Sequence, residues 1–184
     1  MENKDWINDN WWTSEFNFEP AFRETLSLPA KVQIHDATLR DGEQTPGLVL
    51  RKEHKIEIAQ MLDELGVDRI EAGMPAVSRE DFEALRDITK LGLNSRIMAF
   101  SRAMTKDVDL ALECGVWGVV IEIASGLPRL KYQYTWDENE TIRRAVEAIN
   151  YAKKKGLFVN FFPFFPLSDI KHTTYENKRD CYSP

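Results

Sequence analysis

Hydrophobic residues follow two alternating patterns from residue 31 onward. Short apolar runs recur along the chain, and longer segments with apolar residues at helical spacing separate them. The runs are "KVQIHD", "VDRIEAG", "SRIMAFS", "VWGVVIEIAS" and "LFVNFF". These runs predict five strands, and the amphipathic segments between them predict four helices. Strands that alternate with helices through short loops form right-handed βαβ units, so the pattern predicts an α/β protein with a parallel sheet.

Local signals mark the boundaries of two of these helices. The first helix is predicted over "RKEHKIEIAQMLDELG", and four apolar residues share one of its faces: Ile56, Ala59, Leu62 and Leu65. Gly66 stands where a C-terminal cap belongs. Before the second helix, Ser78 with Asp81 three residues later resembles a capping box, with Asp in place of the usual Glu or Gln.

An open doubly wound sheet and a (β/α)8 barrel both fit this order of elements. No Gly-x-Gly-x-x-Gly follows the first strand, so a dinucleotide-binding sheet has no support. A charged loop, "TLRDGEQ", follows that strand instead. Barrel enzymes carry their chemistry on loops at this end of the strands. The sequence therefore predicts the N-terminal part, about five βα units, of a (β/α)8 TIM barrel.

The chain divides into three segments by composition and periodicity. Residues 31–162 form the predicted partial barrel, which is the candidate catalytic domain. Residues 1–30 form an aromatic and acidic extension, which either packs its Trp and Phe side chains on the barrel or binds a partner. Residues 163–184 show neither helical nor strand period and are predicted to be an irregular tail.

Composition and charge narrow the class of protein. Of the 184 residues, 43% are hydrophobic and 29% are charged, as in soluble globular proteins. The net charge of −6 disfavours binding to nucleic acid or to an anionic membrane. No leader and no apolar run of about eighteen residues is present, so we expect a cytoplasmic protein. Cys114 and Cys181 lack the spacing of a zinc site, and we expect Cys114 in the core.

The segment "DATLRDGEQ" carries the candidate chemistry. Asp41 offers a hard oxygen ligand that suits Mg²⁺ or Mn²⁺ and, less specifically, Zn²⁺. Arg40 offers a fixed cationic fork for a carboxylate or a developing oxyanion. Gly42 is expected to relieve backbone crowding where the loop turns. Together these residues can hold a 2-oxo acid beside a metal. The alternative is an ion pair within the loop that has no chemical role.

The same residues resemble a family signature. Leu39-Arg40-Asp41-Gly42, then Gln44, and Lys55 after ten further residues, are similar to the first-strand pattern of the synthases among the DRE-TIM metallolyases. This family is also described as HMG-CoA-lyase-like or pyruvate carboxyltransferase-like, and it includes isopropylmalate, homocitrate and citramalate synthases. "IEAGMPAVS", "SRA" and "ASGLPRLKY" agree further. The resemblance covers about residues 31 to 162.

The resemblance implies roles for individual residues. Asp41 would bind a divalent metal (Mg²⁺, Mn²⁺ or Zn²⁺), and Arg40 would stabilise an enolate. Gln44 would help to bind the 2-oxo acid. Glu71 matches a pocket carboxylate, with an ordinary strand-end charge as the alternative. Arg102 would contact a substrate carboxylate, with a solvated loop residue as the alternative.

No role is predicted for His35, because it sits inside a strand and not in the loop.

The chain also departs from the family pattern. The family completes its metal site with a His-x-His pair after a later strand, and His35, His54 and His172 do not form such a pair. Five strands are readable, whereas an eight-stranded barrel needs about 200 residues or more. We therefore expect a truncated barrel.

The activity implied by the resemblance is a metal-dependent, Claisen-type condensation of acetyl-CoA with a 2-oxo acid, in amino-acid biosynthesis. The implied partners are these two substrates, and full-length family members are expected to be homodimers. Two alternatives remain open: a metal-dependent aldolase or lyase of the same family, and an inactive fragment or degenerate paralogue.

Overall fold

A computed structural model describes residues 7–27 and 29–164. These residues fall into two compact units, with the boundary between Val32 and Gln33. In the first unit an isolated antiparallel bridge pairs Ile7 with Trp12. A 3₁₀ turn, Glu15–Phe18, and a single helical turn, α1 (Pro20–Arg23), follow.

The second unit is a five-stranded parallel sheet in the order β1-β2-β3-β4-β5. The strands are β1 (His35–Asp36), β2 (Arg69–Glu71), β3 (Arg96–Arg102), β4 (Gly118–Ala124) and β5 (Phe158–Phe164). The helices that connect them are α2 (Lys52–Leu65), α3 (Arg79–Thr89), α4 (Thr105–Glu113) and α6 (Glu138–Lys154). Two short elements, α5 (Leu127–Arg129) and a π-helical turn (Leu130–Tyr134), precede α6. This half-barrel confirms the predicted partial (β/α)8 fold.

Both faces of the sheet are covered in its central strands. The larger cluster lies between the sheet and the helices and includes Ile70, Leu85 and Ile121, all with 0% exposure. A smaller cluster on the opposite face contains Met98, Phe100 and Val120. Parallel strands buried on both faces read as continuous hydrophobic runs, which explains why β3 and β4 lack a polar–apolar alternation.

The helix boundaries follow the predicted signals. Gly66 ends α2 with a left-handed φ of 86°, a conformation that glycine adopts without a Cβ clash. The Ser78 hydroxyl caps α3 by accepting the Asp81 backbone N–H at 3.1 Å. The apolar face of α2 is not buried along its whole length: Leu65 exposes 77% of its surface at the last turn, while Ala59 on the same helix is fully buried.

The structure also bears on the expectations for Cys114, for the C-terminal segment and for membrane-spanning helices. Cys114 is a buried core residue, as predicted, and its burial raises the pKa of the thiol to about 11. Strand β5 continues through Phe164, so the first two residues of the segment predicted as an irregular tail belong to the strand. The rest of that segment, with Cys181 and His172, lies outside the described residues. None of the described helices is long and apolar enough to cross a membrane.

Candidate active site

The loop after β1 is wound tightly by its own backbone. The amides of Arg40, Asp41 and Gly42 all donate to the carbonyl of Ala37, at 3.1, 2.8 and 3.2 Å. Leu39, which lies between Ala37 and Arg40 in sequence, is fully buried and anchors the loop in the core. These contacts fix the positions of Arg40 and Asp41 in the loop that follows the carboxyl end of β1. Barrel enzymes place their active sites at this end of the strands.

The expectation for Gly42 was wrong. A Cβ added to Gly42 would approach Thr38 Cγ2 only to 3.6 Å, which is ordinary van der Waals contact. The turn therefore does not require glycine here. Two residues after β2, Gly73 does have a positive φ, of 133°, and it lines the same cavity as Arg40.

Glu71 is the buried carboxylate at the centre of the site. It is 3% exposed at the end of β2. The Nε of Arg40 donates to its Oε1 at 2.5 Å, and Nε2 of His35 contacts its Oε2 at 3.2 Å. Burial alone would raise the pKa of Glu71, but the hydrogen bonds from His35 and Arg40 outweigh it and leave the pKa below its ordinary value. Glu71 is therefore ionised at neutral pH.

Arg40 connects the predicted site residues to one another. Its Nη1 donates to Asp41 Oδ1 at 2.8 Å, in addition to the bond from Nε to Glu71. Its guanidinium carbon lies 4.6 Å from the centre of the Phe100 ring, a cation–π contact. These two bonds use two of the five N–H donors of a guanidinium, and the other three have no partner among the described residues.

His35 is the site residue that the sequence prediction missed. We gave it no role because it lies within a strand, yet its ring contacts Glu71. The available signal was strand register. His35 pairs with Arg69 of β2, and Glu71 lies two residues further along the same face of that strand.

A cavity of about 350 Å³ lies beside this network. Its lining comes from the loops after β1 and β2, from the start of α3 and from β3, and includes Arg40, Glu43, Gln44, Gly73, Met74, Asp81 and Phe100. The Gln44 side chain is exposed and makes no hydrogen bond to the described residues. A small organic acid fits a concave site of this kind, in which a few polar groups converge on an apolar wall.

Arg102 stands apart from this cavity. Its Nε and Nη2 donate to the two carboxylate oxygens of Asp107, at 2.7 and 2.9 Å. Asp107 is 2% exposed, and it also accepts the Arg102 backbone N–H at 3.3 Å. The structure thus places Arg102 at the carboxyl end of β3 with a bidentate partner, and not against Arg40, Gln44 or Glu71.

Asp41 is suited to hold part of a metal site but not all of it. It is 65% exposed at its side chain, so a cation can reach its free oxygen. The described part of the chain contains no group of three or more His, Cys, Asp or Glu side chains that could hold a metal. Asp41 therefore fits as one ligand, and the described residues do not complete the set.

Comparisons of the sequence with known proteins identify similar proteins. A family model described as HMGL-like matches residues 31–171. A probable 2-isopropylmalate synthase of Ignicoccus hospitalis is 48% identical over 76% of this chain and 35% of its own length. A homocitrate synthase of Methanocaldococcus jannaschii is 44% identical over 85% of this chain and 38% of its own length. The chain thus spans little more than a third of each of these relatives.

A solved structure supports the fold. The HMG-CoA lyase of Bacillus subtilis superposes with a TM-score of 0.63 at 20% identity. The match covers 74% of this chain and 47% of the lyase. At this identity the likeness extends to the partial barrel alone.

Proposed function

The chain belongs to the HMGL-like family, and from this premise we propose that it carries the first part of the active site of an acyltransferase. The proposed reaction is a Claisen-type condensation. Acetyl-CoA loses a methyl proton, the resulting carbon attacks the carbonyl of a 2-oxo acid, and hydrolysis of the thioester releases CoA. The curated relatives at 44–48% identity are synthases by name, and the likeness to a lyase is confined to the fold. The condensation is therefore favoured over the lyase reaction.

The observation that carries this proposal is the setting of Arg40. Its guanidinium is held by Glu71 and by the Phe100 ring at the edge of the cavity. The Arg40 side chain is 19% exposed, and three of its N–H donors have no partner among the described residues. A fixed cation that needs no reorganisation stabilises charge as it develops on an oxygen. We assign the stabilisation of the enolate oxygen to these donors.

Glu71 acts on the reaction through Arg40. Its lowered pKa keeps it ionised at neutral pH, so it is poorly suited to donate a proton. Its two oxygens instead hold Arg40 and His35. We propose that Glu71 fixes the direction of the Arg40 fork toward the cavity.

The 2-oxo acid would be bound from the rim of the cavity. The exposed amide of Gln44 offers both a donor and an acceptor to the substrate. Arg102 would reach a substrate carboxylate only through the N–H groups that Asp107 does not occupy. Selectivity among 2-oxo acids is then set by side chains that face the substituent on C2.

The HMGL-like family generally uses a divalent metal. We propose that Asp41 contributes one carboxylate ligand to Mg²⁺, Mn²⁺ or Zn²⁺. When bound, such an ion polarises the carbonyl of the 2-oxo acid.

The test is release of free thiol from acetyl-CoA by the purified chain. Pyruvate, 2-oxoisovalerate and 2-oxoglutarate are each supplied with Mg²⁺ or Mn²⁺, and a thiol-reactive dye reports CoA. We expect thiol release that depends on one of the 2-oxo acids. A rate equal to the protein-free rate with every acid would overturn the proposal for this chain. Release without any 2-oxo acid would indicate thioester hydrolysis instead.

A further inference from the structure

Lys55 is a buried charge at the start of α2. It is 2% exposed, and its Nζ donates to two carboxylates from different parts of the chain. The distances are 2.6 Å to Glu43 Oε2 and 2.5 Å to Asp81 Oδ1. Burial alone would lower the pKa of Lys55, but the hydrogen bonds that Lys55 donates to Asp81 and Glu43 outweigh it and raise the pKa. The ammonium group is therefore charged at neutral pH.

Both partners of Lys55 line the cavity. Glu43 sits between Asp41 and Gln44, in the loop after β1, and its Oε1 accepts the backbone N–H of Leu50 at 3.3 Å. This hydrogen bond ties the middle of the loop to the residues just before α2. Lys55 adds a second contact to the same side chain from within the core.

Asp81 belongs to the opposite wall of the cavity. Its Oδ2 accepts the Ser78 hydroxyl at 2.6 Å, which fixes the carboxylate at the start of α3. The loop that leads into α3 carries Gly73 and Met74, and both line the cavity. Lys55 thus joins the wall that carries Gln44 to the wall that carries Met74.

We propose that Lys55 is a positioning residue for the 2-oxo acid subsite. It holds the loop that carries Asp41 and Gln44 against the start of α3, so that the cavity is formed before substrate arrives. Preorganisation of this kind lowers the cost of binding, because the loop does not have to be ordered by the ligand. The role in substrate binding rests on the proposed function, whereas the hold on the loop does not.

A matched control lies on the same helix. Lys52, one turn earlier, pairs with Asp87 at 3.2 Å, and the two side chains are 33% and 30% exposed. This pair joins α2 to α3, as the contact from Lys55 to Asp81 does, but neither residue lines the cavity. Lys52→Met removes a lysine and an ion pair without touching the loop after β1.

The experiment compares Lys55→Met, Glu43→Ala and Lys52→Met with the unaltered chain. Amide hydrogen exchange is measured for residues 40–44, stability is measured by urea unfolding, and affinity is measured by calorimetric titration with pyruvate, 2-oxoisovalerate and 2-oxoglutarate. Glu43→Ala removes only the loop half of the network, so it remains informative if Lys55→Met fails to fold. We expect exchange of the loop amides to accelerate about tenfold or more in both network variants. Lys52→Met should leave this exchange unchanged.

The two proposals fail in different ways. If the loop amides of a folded Glu43→Ala or Lys55→Met variant exchange at the unaltered rate, Lys55 does not position the loop. If the loop loosens and affinity for a 2-oxo acid falls about tenfold, both proposals are supported. If the loop loosens while affinity for a bound acid stays constant, the subsite role is overturned. If the unaltered chain binds none of the acids, the proposed function fails, and hydrogen exchange still decides the hold on the loop.

Discussion

Arg40 donates from Nε to Oε1 of Glu71 across 2.5 Å, and this bond joins the loop after β1 to the end of β2. The residues are 31 positions apart in sequence, and the carboxylate is almost fully buried. An arginine held in this way has little freedom to rotate toward solvent. The pair therefore determines where the remaining N–H donors of Arg40 point.

Replacement of Glu71 by glutamine tests this dependence. Glu71→Gln keeps the size of the side chain but removes the charge that holds Arg40 and His35, so we expect thiol release to fall about tenfold or more. Glu83→Gln is the matched control, because Glu83 pairs with Arg79 on the surface of α3. Equal rates in Glu71→Gln and the unaltered chain would show that the pair has no part in the reaction.

Stability in acid depends on the same carboxylate. The pKa of Glu71 is lower in the folded chain than the ordinary value of about 4.3 that applies in the unfolded chain. Its contribution is therefore present above about pH 4.3 and is lost as the pH falls through the folded-state pKa. We expect the urea midpoint of the unaltered chain to fall more steeply below about pH 4.3 than that of Glu71→Gln. Parallel pH profiles would contradict this assignment.

Much of the fold was predictable because its signals are local. The alternation of short apolar runs with amphipathic segments gave the five strands and the four main helices, and Gly66 and Ser78 gave two boundaries. The exposure of Leu65 was not predictable, because helical spacing identifies an apolar face but not how far a neighbouring element covers it. Its 77% exposure depends on tertiary packing at the end of α2.

The site was only partly predictable, since its contacts depend on register between strands. Arg40, Asp41 and Gln44 were identified from one continuous loop. The contact between His35 and Glu71 joins residues on two strands. The pairing of Arg102 with Asp107 joins the end of β3 to the first turn of α4. The pattern also included Lys55, but its role needed the positions of Glu43 and Asp81. The chemical roles remain predictions for all five site residues: Arg40, Asp41, Gln44, Glu71 and Arg102.

Arg102 is expected to have a structural role as well as the proposed contact with substrate. Arg102→Met leaves the buried Asp107 carboxylate without its bidentate partner, which should cost about 1–3 kcal/mol of unfolding free energy. Arg79→Met provides the comparison, because Arg79 is 91% exposed and its surface pair should contribute much less to the free energy of unfolding. Urea unfolding of the two variants measures the difference. Similar losses in both would mean that the Asp107 pair contributes no more than a surface pair.

Gly118 is expected to be required by the sheet. A Cβ at this position would lie 2.8 Å from the carbonyl oxygen of Phe158 on the neighbouring strand, a clash with backbone that cannot move easily. Gly118→Ala should destabilise the fold by about 1–3 kcal/mol. Gly42→Ala, which has room for a methyl group, should change the free energy of unfolding by less than about 0.5 kcal/mol. Thermal unfolding compares the two, and a harmless Gly118→Ala would contradict the close approach of β4 and β5.

We propose that this site makes a carbon–carbon bond between acetyl-CoA and a 2-oxo acid. The most direct measurement is mass spectrometry of the products formed from acetyl-CoA labelled with ¹³C at both acetyl carbons. We expect a 2-hydroxy acid that carries both labelled carbons and one more carboxylate than the 2-oxo acid supplied, together with free CoA, and a loss of this product of about a hundredfold or more in Arg40→Lys. Labelled acetate as the sole labelled product, with the 2-oxo acid recovered unchanged, would contradict it.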